Sequence, residues 1–87
     1  MAIIKEVESS EDFKVQLVTS HPDIYVYVTK HKSEAKNSDF IWFFGNSSPY
    51  VKVKFVTSSA DLKVQFVNSK RHAGWKNLKH KLQNRIG

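Results

Sequence analysis

A phrase of eleven residues recurs through this chain and leaves few ways to fold it. It is visible in "EDFKVQLVTS" (residues 11–20), "PDIYVYVT" (22–29) and "ADLKVQFVNS" (60–69). Aligned on their first residue, the copies begin at Asp12, Asp23, Asp39, Tyr50 and Asp61, at intervals of 11, 16, 11 and 11. The second position holds Phe13, Ile24, Phe40, Val51 and Leu62. The fourth holds Val15, Val26, Trp42, Val53 and Val64, and the sixth Leu17, Val28, Phe44, Phe55 and Phe66. Apolar residues two apart, mostly β-branched or aromatic, mark strands. A unit this short cannot bury its apolar side alone, so several must associate. All fifteen residues are expected in the core, where Phe66→Ala would cost about 3–5 kcal/mol.

The third and fifth positions should face outward. Lys14, Gln16, Lys52, Lys54, Lys63 and Gln65 are polar there, whereas Tyr25, Tyr27, Ile41 and Phe43 are not. Those four are covered either by another layer of the same chain or by a partner. Thr, Ser, Asn, His and Pro between the copies read as turns whose side chains bond nearby backbone, with the opening Asp among them. "FGNSSP" (44–49) is the clearest turn, and 30–38 forms a polar loop. Connections of about five residues predict that consecutive strands are neighbours. Residues 1–11 read as a degenerate copy with a loosely held start, and residues 12–69 as the β repeats. In 73–87, Trp75, Leu78 and Leu82 have helical spacing, which predicts a short basic helix.

Eighty-seven residues make one domain, 1–87, with a thin core. With no cysteine, disulfides and thiolate zinc sites are excluded. Eleven aromatic residues offset the small size. The N-terminal residues are too acidic for a secretion signal and no apolar run could span a bilayer, so a cytoplasmic location is expected. The net charge of +6 is uneven: residues 1–39 carry −2 and residues 40–87 carry +8. Such asymmetry is compatible with a polyanionic partner and equally with solubility alone.

"HKSEA" (31–35), "IWFF" (41–44), "ADLKV" (60–64) and "AGWKN" (73–77), in this order and spacing, resemble a family of small repetitive β domains associated with a sevenfold (7-1, septafoil) torus knot of the backbone. The resemblance covers about residues 12–77. Together with the repeats it implies an all-β fold of about five to six short strands, interwound and knotted; residues after Asn77, where the repeat has ended and the composition turns polar, are expected outside the interwound core. It supplies no catalytic residues. The turns depart from the family's Tyr-Lys-Ser pattern, and only His31-Lys32-Ser33 comes near it.

No chemistry stands out. His21, His31, His72 and His80 lack the i, i+4 pairing of helical zinc sites. No Gly-rich phosphate loop or nucleophile elbow occurs. Ser58, Ser59 and His72 would meet in space only by chance, and Glu6, Glu8, Glu11 and Asp12 read as a solvated face. No catalytic residue, cofactor or metal site is expected. The remaining signal is basic: Lys52, Lys54, Lys63, Lys70, Arg71, Lys76, Lys79, Lys81 and Arg85, with Trp75 among them. Such a set is either a solvated surface with Trp75 packed on the sheet, or a weak, sequence-independent nucleic-acid groove. The expectation is a non-enzymatic, monomeric structural or interaction module, with nucleic-acid binding through the basic half as the alternative and no partner named.

Overall fold

The computed structural model of the chain describes residues 2–35, 38–46 and 50–86. The turn expected at 44–49 and the loop at 30–38 therefore lie partly outside the described residues, at Ser47, Ser48 and Pro49 and at Lys36 and Asn37. Among the described residues seven strands form: β1 (Ile3–Glu6), β2 (Phe13–Leu17), β3 (Ile24–Val28), β4 (Ile41–Phe44), β5 (Val51–Phe55), β6 (Leu62–Val67) and β7 (Gly74–Trp75). Single 3₁₀ turns span Lys32–Ala35 and Lys70–His72.

The first six strands are all parallel and close into a ring, in the order β4-β1-β5-β2-β6-β3 and back to β4. β1 and β2 flank β5, and β2 and β3 flank β6. The short connections therefore do not join neighbours, as their length had suggested. Those from β1 to β2, from β2 to β3 and from β5 to β6 each pass over one strand from the other half of the chain. The interior is filled with side chains, so these connections run outside it as arches. The first arch makes Val7 N–H donate to the Val53 carbonyl and Asp12 N–H to the Lys52 carbonyl, straddling β5. The next straddles β6, through Val18 to Val64 and Asp23 to Lys63. The arch after β5 straddles β2, through Val56 to Val15 and Asp61 to Lys14. Each half of the molecule is thus threaded beneath the other.

The opening Asp fastens the arch. Lys52 N–H donates to the Asp12 carboxylate at 2.8 Å, Lys63 N–H to Asp23 at 2.9 Å, and Lys14 N–H to Asp61 at 2.9 Å. The bonded amide is 40 to 47 residues away, not in the local turn as expected. Two residues before each of these aspartates the backbone turns left-handed, with φ of 60° at Ser10, 53° at His21 and 56° at Ser59. Three equivalent positions share the conformation because the arches share one shape.

Every neighbouring pair is staggered by two residues. Ile4 lies opposite Val51, Val53 opposite Phe13, Val15 opposite Leu62, Val64 opposite Ile24, Val28 opposite Trp42 and Phe44 opposite Ile4. This stagger is twice that of the eight-stranded α/β barrel and tilts the strands by roughly 55° from the axis. It also brings equivalent positions of all six strands to one height, so the interior is three layers of six side chains. In the middle layer Ile4, Val15, Val26, Trp42, Val53 and Val64 have no exposure at all. The Trp42 indole N–H donates to the Asp39 carbonyl at 2.7 Å, so the ring is buried without losing a hydrogen bond.

Three expectations are corrected. First, residues 1–11 are no loose start: β1 pairs with both β4 and β5, and Ala2, Ile3 and Ile4 are wholly buried. Ala2, Ile4 and Glu6 continue the second, fourth and sixth positions, although no Asp opens this copy. Second, the sixth position is not core. Leu17, Val28, Phe44 and Phe66 are exposed, Phe66 to 40%. Phe66→Ala should then cost clearly less than a fully buried Phe would.

Third, among the described residues no α-helix follows Trp75. Side chains there compete for the backbone: Asn77 accepts from Lys79 N–H at 3.2 Å and His80 Nδ1 from Leu82 N–H at 3.1 Å. The resulting run of turns follows the interwound strands and packs back on their apolar interior. Ile86, only 2% exposed, and Leu82 pack into the core cluster. β7 explains how they arrive. The chain leaves β6 at the carboxyl end of the barrel and returns antiparallel along β3, through Ile24 opposite Trp75 and Tyr25 opposite Gly74. This delivers the tail to the amino end. The same return, and the 3₁₀ turn packed on β4, help explain why Tyr25, Tyr27, Ile41 and Phe43 are only half-exposed.

Candidate functional site

The basic residues fall into two groups. Lys76, Lys79, Lys81 and Arg85 are exposed on the tail that covers the amino end. Lys81 lies 4.0 Å from Asp61. Lys70 and Arg71 are exposed on the 3₁₀ turn after β6, and Lys70 pairs with Glu34. That ammonium, together with the Thr29 hydroxyl, holds the Glu34 carboxyl below its ordinary range. Lys52, Lys54 and Lys63 belong to the outer wall of the barrel.

Trp75 does not join the basic residues as an open stacking platform. Its indole N–H donates to Asp39 at 3.0 Å and its ring stacks on His80, with centroids 5.4 Å apart. His80 Nε2 meets the Asp61 carbonyl at 3.0 Å. Trp75 is a fastening of the closed end. The conceivable catalytic groups are also scattered: Ser58 and Ser59 lie on the arch over β2, His72 on the 3₁₀ turn beside β3, and Asp12 is engaged with Lys52.

The wall holds a set that sequence reasoning had not assembled. Lys5 on β1 lies opposite Lys52 on β5, and Lys54 on β5 opposite Lys14 on β2. Lys63 follows on β6, opposite Gln16. Four consecutive strands therefore carry five lysines, strand against strand at about 4.8 Å spacing. Like charges directly opposite weaken a sheet. Among the described residues, no carboxylate forms an ion pair with any of the five. Lys5 lies 5.0 Å above the Tyr50 ring, a cation–π contact.

The carboxyl end of the barrel adjoins this wall. Its layer consists of Glu6, Leu17, Val28, Phe44, Phe55 and Phe66, one from each strand. Phe44 and Phe66 stand edge-on to buried Trp42, at 6.1 and 6.3 Å, and Phe44 lies 6.4 Å from Phe55. A groove of about 330 Å³ opens there between Gln16, Leu17, Phe55, Val56 and Thr57. The signal that could have found this rim is Glu6. An acid in the sixth position of the first copy means that the position meets water.

The comparisons with known proteins bear on the fold. No curated protein matches the chain. The 7(1) septoil knot domain matches residues 1–76, ending just after β7 and before the tail that supplies Leu82 and Ile86. Among the described residues no helix is long and apolar enough to cross a membrane. With arches from each half passing over strands of the other, and with the match covering most of its length, the chain belongs to the septoil knot domain family, a family of small knotted β domains.

Proposed function

We propose that this protein is a non-enzymatic structural module whose useful property is resistance to opening. The observation that supports this reading is the alternation of the two halves around the closed ring. Every neighbouring pair of the ring, β3–β4 included, joins a strand of β1–β3 to a strand of β4–β6. Neither half can leave without breaking its pairings with the other, and such coupled separation is slow. The closed ring also leaves its six strands no free edge, which favours a monomer. The test is pulse proteolysis in urea beside the rate of unfolding. The reading expects the chain to survive a protease pulse at urea concentrations where equilibrium already favours unfolding. Unfolding and cleavage within seconds there would overturn it.

A second reading is favoured by the in-register lysines: weak, sequence-independent binding of a polyanion such as nucleic acid on the wall formed by β1, β5, β2 and β6. Charge reversal at Lys52 and Lys54 should abolish a gel shift seen at low salt, since phosphate contacts act through released counterions. A shift that survives the reversal would place binding elsewhere.

A further inference from the structure

We propose that the open carboxyl end of the barrel, together with the lysines beside it, is a binding surface for single-stranded nucleic acid. The proposal rests on the polyanion reading and adds where the strand lies and which form of nucleic acid is taken. The rim layer is five-sixths apolar, and four of those five side chains are exposed. It contains three phenylalanines, of which Phe44 and Phe66 present large exposed fractions while standing on the fixed edge of Trp42. Aromatic faces held rigidly at a surface are what unpaired bases stack on, and stacking tolerates any base. Lys5 and Lys54 occupy the outer position one residue below the rim on adjacent strands, with Lys14, Lys52 and Lys63 two residues further down. A backbone passing along this side, beside the arches, would meet the ammonium ends of exposed Lys63 and of half-buried Lys5, Lys14, Lys52 and Lys54, while its bases turned over the rim would meet Phe44, Phe55 and Phe66.

The alternatives fit less well. A duplex hides its base faces and would leave the rim in water. Two copies meeting rim to rim would bring Lys5 and Lys54 of both chains together, with Glu6 the only acid of either rim layer. The amino end offers no comparable surface, because Asp39 and the tail close it.

The test uses the full chain and fluorescence anisotropy with labelled oligo-dT and oligo-U of about 15 nucleotides, at about 50 mM salt. A duplex of the same length and inorganic polyphosphate serve as competitors. The double variant Phe44→Leu/Phe66→Leu keeps apolar bulk on Trp42 while removing the π faces, and circular dichroism checks its fold. The proposal expects this variant to lose about tenfold in affinity for the single strand and little for polyphosphate. Lys5→Glu/Lys54→Glu should weaken both by about tenfold or more. If wild-type protein binds no probe, the polyanion reading and this inference both fall. If it binds but the leucine variant binds the single strand equally well, or if duplex competes as strongly, the stacking rim is overturned while the polyanion reading stands. A concentration-dependent dimer that dissociates in the leucine variant would assign the rim to a second copy and overturn the inference as well.

Discussion

At the amino end of the barrel, the Asp39 carboxylate accepts from the indole N–H of Trp75, the backbone N–H of Asn84 and that of Ile86 at 3.1 Å. His80 meets Asp61 and lies 3.6 Å from Asp23, while Ile86 and Leu82 lie against the core. At the carboxyl end Leu17, Val28, Phe44 and Phe66 meet solvent with no equivalent lid among the described residues. Both ends come from one repeat, and the difference is imported. The repeat supplies an apolar layer at each end. Only the amino end received a segment outside the repeat, and the Asp that elsewhere fastens an arch is used there to hold that segment. The contrast teaches that periodicity specifies the wall of the barrel, while its ends depend on what non-repetitive sequence is spent on them.

The largest expected effect at the closed end is Asp39→Ala. It strands the indole of Trp75 and frees the tail, at a cost of about 3 kcal/mol, read from urea unfolding. A loss below about 1 kcal/mol would mean that the lid is ornamental. The next comparison sets one apolar truncation against another. Ile86→Ala should cost about 2–3 kcal/mol, because the side chain is fully enclosed. Leu17→Ala should cost at most about 1 kcal/mol, because the residue is 51% exposed. Equal costs would erase the distinction between the ends.

A smaller and opposite effect is expected in the arches. Ser59→Gly should stabilise by about 0.5–1 kcal/mol, because a left-handed residue with a Cβ is strained there. Proline at the same position should destabilise.

The smallest effect lies at Glu34, which joins the two 3₁₀ turns through Lys70. Its carboxyl titrates below the ordinary range in the folded state. Its stabilising contribution is therefore complete above the usual carboxylate range and is lost as pH falls through the lowered folded value. Glu34→Gln should flatten the acid limb of the stability–pH curve slightly, less so in high salt, because the pair is exposed. A steeper acid limb in the variant would contradict the assignment.

The fourth position was legible in sequence because it is central, and every copy in the ring puts an apolar residue there. The sixth position looked the same on paper, since a rim and a core layer are written with the same residues when the rim has a use or a cost. Glu6 alone gave it away, and it sits in the copy that reads as degenerate. Parallel pairing was not legible either. A six-residue connection suggests a hairpin, and only the fold reveals the foreign strand beneath it. The tail was misjudged for a different reason. Its contacts are side-chain captures of backbone by Asn77, His80 and Asp39, which leave no periodic trace. For the basic residues, sequence found Lys52, Lys54 and Lys63 but not Lys5 and Lys14. Opposition across strands from two halves of the chain is a property of register.

The arches carry one more implication. In most folds a protease that cuts a loop creates an end that can peel away. Here a cut at the exposed residues Glu8, Ser9 or Ser10 would leave β5 still lying under the severed span, and the new ends still bonded to Val53 and Lys52. The fragments would stay lodged in each other like the strands of a splice. In this molecule, damage to the covalent chain and loss of the folded body become separate events.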